Sequence, residues 1–216
     1  MANNLPLKSQ HRPSSDEGQR RILTAACMAF ANNGFEGASL RQISAEAGVL
    51  HTAMLYHFRT KDLLWRGVMT ELFGDLQIRM AKALQAVEDA SPTERAQRQI
   101  ATFIRFSAER PELHRIMTNE ARSESDRLEW LIETYTKRMF ETVSEIAAEL
   151  PLAESLRDPV RLYYAIIGLS TAPFTLGPEF RRLSGLDPFS PTEVENTVTF
   201  VEALIFGGER AKPIAE

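Results

Sequence analysis

Between Gly48 and Leu64 the chain reads GVLHTAMLYHFRTKDLL, setting two histidines, two threonines, a tyrosine, an arginine and a lysine among large apolar residues. Groups of these types donate hydrogen bonds to phosphate oxygens and base edges, which is the chemistry of nucleic-acid recognition. Histidines also bind metals, but His51 and His57 stand six residues apart without a cysteine or carboxylate partner, so no metal or cofactor is expected. The parts of a catalyst are missing too. There is no Ser/His/Asp set, no glycine-rich phosphate loop and no pair of Glu-x-x-His motifs, since Glu112 precedes His114 by two residues. An enzyme is not expected.

The elements that would hold such groups in place are helices. Ser14 with Glu17 three residues on makes a capping box, after which Ile22, Ala25, Ala26, Ala29 and Phe30 recur at helical spacing until Asn32–Gly34. A second helix starts at Ser39, with Leu40, Ile43 and Ala47 on one face and Gly48 closing it. A third runs from about Leu50 to Phe58, and a fourth begins near Lys61. Two short helices joined through EAGVL around a glycine form a helix-turn-helix, in which the second helix enters the DNA major groove. Met54, Leu55 and Phe58 are spaced to face Ile43 and Ala29 as core.

The remainder also reads as helix. Leu63 to Val87 is one long apolar-periodic run, and SPTE occurs at Ser91 and again at Ser190, each with serine as N-cap and proline at the first helical position. Helices are expected at roughly 92–109, 111–121, 124–150 and 157–184, with Pro173 bending or ending the last of these. No alternating β-branched stretch competes. The fold class is all-α, with about nine helices: a flexible arm at 1–13, a three-helix DNA-binding head at 14–60, and a helical body at 61–216.

Net charge is −4, yet it is unevenly spread. Residues 1–66 hold eight basic and five acidic groups, and the other 150 hold 17 and 24. A phosphate-binding head on an acidic body carries that asymmetry. A single cysteine, Cys27, reads as a small buried hydrophobe, and neither an export sequence nor an apolar run of membrane-spanning length is visible. The expected location is the cytoplasm, with no membrane partner.

ILTAACMAFANNGFEGASLRQISAEAGV followed by MLYHFRTKDLL resembles the TetR family of bacterial transcriptional repressors. The resemblance implies roles for particular residues. Ser39 stands where the family bonds a phosphate through a hydroxyl, and Arg41 where some members reach a guanine, with phosphate contact or a solvated charge as the alternatives. Leu50, His51 and Thr52 open the recognition helix; His51 contacts a base or is a solvated histidine. His57 and Lys61 match phosphate contacts, Lys61 at a helix N-terminus whose dipole adds to the attraction. The chain departs from the pattern at Leu50, usually serine or threonine, and at Leu55, usually tyrosine. Tyr56, one position later, is expected at sugar or phosphate from another side. Arg12, Arg20 and Arg21 supply general phosphate attraction.

The resemblance further implies a homodimer on a pseudo-palindromic double-stranded operator, paired through the last two long helices. Tyr164, Ile167, Gly168 and Thr171 on one helix and Val194, Val198, Val201, Leu204 and Ile205 on the other are the expected interface. It implies a small-molecule effector held in the body, with Phe103, Phe106, His114, Met117, Asn119, Trp130, Tyr135, Met139 and Phe174 as candidate lining; the same residues are also ordinary core material. A constitutive or architectural DNA binder without effector, and a helical interaction module that has lost DNA binding, are the competing readings.

Overall fold

Ser91 and Ser190 begin the same four-letter word but close it differently. In the computed structural model, which describes residues 15–207, Ser91 Oγ accepts from the Glu94 amide and the Glu94 carboxylate accepts from the Ser91 amide at 2.9 Å, a complete capping box. Ser190 accepts from the Glu193 amide, but the Glu193 carboxylate turns instead to the Asn196 side-chain amide at 2.9 Å. Each serine nonetheless starts its helix where the sequence places it.

The order is α1 (Ser15–Gly37), α2 (Leu40–Glu46), α3 (His51–His57), α4 (Lys61–Gln85), α5 (Pro92–Glu109), α6 (Glu112–Glu120), α7 (Asp126–Leu131), α8 (Lys137–Glu149), α9 (Pro159–Thr175), α10 (Gly177–Ser184) and α11 (Pro191–Phe206). A π-helical turn, Ile132–Thr136, joins α7 to α8 without a break. No strand occurs among the described residues, and the fold is all-α. Ser14 and the arm at 1–13 lie outside the described residues.

Counting α7 through α8 as one rod, the described residues hold ten α-helical stretches where nine helices are expected. The additional one comes from the stretch expected at 157–184. Pro173 does not end α9, whose helix runs on to Thr175; the chain breaks at Leu176, ahead of Gly177 and Pro178. Proline lacks only the one N–H that would bond the Leu169 carbonyl, and pairing resumes beyond it, with the Leu176 amide donating to the Ala172 carbonyl at 2.9 Å. Gly34, at φ 68°, interrupts α1, and a short helical turn follows to Gly37.

The chain divides into two compact units after Val68. The sequence places the boundary at 60. The difference has a local cause: in the first unit Leu64 and Trp65 are fully buried, with Phe35 edge-on to Trp65 at 6.5 Å and stacked on Phe30 at 6.0 Å. The first two turns of α4 thus complete the core that Ile22, Ala26, Phe30, Ile43, Met54 and Phe58 begin. In the second unit α5 is central, packing against α9 and α11, while α8 lies along α9. Arg105 of α5 grips Glu195 of α11 through two 2.7 Å bonds. None of the described helices is long and apolar enough to cross a membrane.

Candidate nucleic-acid interface and cavity

In the first unit α2 and α3 form the helix-turn-helix. The turn is a chain of short backbone bonds, from Ala47 to Ile43, Gly48 to Ala45 and Val49 to Ser44, each 2.9–3.0 Å. Gly48 sits at φ 63°, where a side chain is strained. The turn is also held from outside. Arg21 of α1 donates through Nε to the Ala47 carbonyl at 2.8 Å and through Nη2 to the Gly48 carbonyl at 2.6 Å. Arg21, taken from the sequence as a general attractor of phosphate, is a clamp on the turn.

Arg21→Ala is expected to destabilise this unit by about 2 kcal/mol, the scale of hydrogen bonds to a charged donor. Gly48→Ala is expected to cost about 1–2 kcal/mol, from the left-handed backbone. Its Cβ would also meet Arg21 Nη2 at 3.2 Å. Urea unfolding of both single variants and the double variant checks the pair: Gly48→Ala must cost less once Arg21 is alanine.

The remaining polar groups of the stretch are outward. Ser39 N-caps α2 with extended backbone, but its hydroxyl bonds nothing in the helix and is exposed. Arg41 and Thr52 are exposed. Leu50, the N-cap of α3, is 76 % exposed, and Tyr56 is 82 % exposed, its ring edge-on to His57 at 5.6 Å. Met54 and Phe58 are core as expected, but Leu55, placed in the core by its apolar character, is 36 % exposed. On a seven-residue helix only one narrow stripe reaches the interior, and Met54 occupies it.

Three expected contacts are modified. His51 is half-buried, with Nδ1 shielded and unpartnered among the described residues. The His57 ring leans on α1, its Nε2 4.0 Å from where a Cβ on Gly18 would stand. The Lys61 ammonium donates to the Glu36 carbonyl at 3.0 Å and lies 4.7 Å from the Phe35 ring centre, so only part of its donor capacity points outward. Lys61 is the first residue of α4, and Thr60 caps that helix, accepting from the Leu63 amide at 3.1 Å.

In the second unit a cavity of about 430 Å³ opens between α4, α5, α8 and α9. Phe103, Tyr135 and Met139 line it, as expected. The other candidates do not. Phe106 and Phe174 are fully buried core, Phe106 beneath the Arg79 guanidinium at 5.4 Å and Phe174 against Phe189 at 5.8 Å. Trp130 stands behind Tyr135, edge-on at 5.5 Å. Met117 and Asn119 on α6 lie outside the cavity wall, Asn119 exposed. His114 is buried, bonded at 3.1 Å to Ser107 Oγ, which donates to the Phe103 carbonyl; burial holds its pKa down at about 4.

The sequence missed the α4 wall, built from Phe73, Leu76, Gln77, Met80 and Leu84. The signal was present as an apolar stripe at i, i+3, i+4 spacing with Gln77 set into it. Ile167, expected at the dimer face, lines the cavity instead.

The expected interface divides in two. Val194, Val198, Val201 and Ile205 are buried within the single chain, because this stripe of α11 packs on α5 and α9, and Thr171 is buried as well. Tyr164, 67 % exposed, Gly168 and Leu204 remain outward, joined by Val160, Ala172 and Phe200. A Cβ on Gly168 would meet nothing within 4 Å.

A short helix with an exposed polar and aromatic face, clamped to its neighbour by a tight turn, defines a helix-turn-helix DNA-binding protein. Residues 22–66 match the family model for bacterial regulatory proteins of the tetR family. The HTH-type transcriptional regulator RutR of Escherichia coli strain K12 is 25 % identical over 196 residues, covering 90 % of this chain and 91 % of RutR. A TetR-like transcriptional regulator from Rhodococcus sp. RHA1 shares the fold at a TM-score of 0.64 and 17 % identity, covering 94 % of this chain and all of that one. AibR, whose structure holds isovaleryl coenzyme A and operator DNA, shares it at 0.66 and 17 %, covering 88 % and 98 %. Residues 22–66 thus carry a DNA-binding head of the tetR type, and the chain is similar over nine-tenths of its length to a DNA-binding transcriptional regulator.

Proposed function

We propose that the protein is a homodimeric repressor that reads a pseudo-palindromic operator and leaves it when a small molecule enters the cavity. The cavity carries this reading: about 430 Å³ bounded by apolar walls with a few polar groups is the form of a ligand site, whereas an architectural binder has no need of one. The retained exposed surface of α3 argues against a module that has given up DNA. Exposed apolar groups on α9 and α11 form one candidate face for a second copy. Ligand binding would favour a state in which the two recognition helices no longer match two half-sites, with α4, shared between the units, as the element that responds. AibR has been captured with both kinds of partner, which supports the same pairing here.

In this reading Ser39 and Lys61 contact phosphate, Arg41, His51 and Thr52 contact base edges, and Tyr56 and His57 lie against the sugar–phosphate backbone. Leu50, with no polar group, fits the only apolar feature of a major-groove base edge, the thymine methyl. Fluorescence anisotropy on DNA flanking the coding region, against a scrambled duplex over a salt series, tests the reading. Specific, salt-dependent binding at two chains per site is expected. Lys61→Ala is expected to weaken binding to every duplex and flatten the log–log salt dependence by about one. Equal affinity for native and scrambled DNA at every salt would count against a local operator.

A further inference from the structure

The polar groups of the cavity are unequal in kind. Its eighteen lining residues include one charged side chain, Arg138 of α8, and no carboxylate. Arg138 is exposed and has no ion-pair or side-chain hydrogen-bond partner among the described residues. Gln77, Gln99 and the Tyr163 hydroxyl line the same space, likewise without hydrogen-bond partners there. Burial raises the Tyr163 pKa, so this phenol stays a neutral donor. Tyr135 is different: its hydroxyl is spent on Thr70 at 3.2 Å and its ring is stacked on Phe73 at 4.2 Å.

We propose that the cavity takes an amphipathic monocarboxylic acid, its carboxylate held by Arg138 and its apolar body lying along the aliphatic wall that includes Met80, Leu84 and Ile146. This rests on the cavity being the effector site. The guanidinium fork fits a carboxylate with two parallel bonds. A single cation balances a monoanion; a phosphate dianion would leave a negative charge uncompensated against apolar walls. The neutral amides and the phenol can complete the head group's hydrogen bonds without adding charge. A cationic ligand would meet Arg138 and no acid.

Thermal unfolding and calorimetry of the full chain with octanoate, octan-1-ol and octylamine test this, alongside Arg138→Met and the cavity-filling Ala81→Phe. Octanoate is expected to bind about tenfold tighter than octanol, as a charge-assisted bond does over a neutral one, and octylamine not at all. Arg138→Met is expected to make acid and alcohol equal, and Ala81→Phe to abolish the shift from both. Equal binding of acid and alcohol to the unaltered protein would overturn the carboxylate inference and leave the effector site standing. No shift from any of the three would overturn both.

Discussion

Replacing Phe200 and Leu204 together with aspartate is expected to give a folded monomer that binds its operator about 10²–10⁴-fold more weakly than the parent protein, the range by which linked binding exceeds binding through one module. Both side chains are exposed on α11, at 60 % and 49 % of their surfaces, so a single chain loses little by the change; substitutions at such sites usually stay within about 0.5 kcal/mol. Two copies brought together through α9 and α11 would bury four carboxylates in an apolar contact, which a dimer does not tolerate. Gly168, whose missing Cβ leaves open space, would let another helix approach closely. Sedimentation and anisotropy read the two outcomes separately. A dimer that survives the double substitution would move the interface to another surface, for example the exposed Leu183 of α10 and Leu186 just beyond it.

The second large effect is a dependence of stability on acid. His114 titrates ordinarily near 6.5, and burial holds it at about 4 in the folded chain. Between these values the unfolded chain binds a proton that the folded chain refuses, so stability falls as pH drops through the window, approaching a loss of about 3 kcal/mol near pH 4. Above pH 6.5 both states hold a neutral ring and the penalty is absent. Ser107 donates to the Phe103 carbonyl, so the His114 ring must donate through Nε2, and His114→Gln preserves a donor while removing the titration. Urea midpoints at pH 7, 6 and 5 are expected to fall steeply for the parent and less for His114→Gln. Parallel slopes would mean that the ring takes up its proton in the folded state.

The head was legible because its constraints are local. A glycine in the turn and the spacing of Ile43, Met54 and Phe58 specify two short helices without reference to anything distant. What escaped was the Arg21 clamp, since a contact across 26 residues leaves no periodic trace. The body was legible as helices but not as faces. A stripe of valines on α11 reads the same whether it meets α5 of its own chain or a second copy, and burial decides for the first. Aromatic residues were a poor guide to the cavity for a related reason: Phe106 and Phe174 fill space completely, while the empty volume lies where Gln77 and Arg138 interrupt apolar stripes.

The π turn at Ile132–Thr136 amounts to one residue spliced into an otherwise regular rod. Each residue of an α-helix turns its successor by about 100°. A π turn spreads its extra residue over about the rotation that one residue fewer gives an α-helix, so the faces on either side of it stay aligned. Tyr135 within the turn and Arg138, Met139 and Thr142 beyond it therefore line one cavity wall. A sister chain lacking that one residue would keep the α8 side on the cavity and lose only the local bulge, so length variation at this place is confined to the neighbourhood of Tyr135.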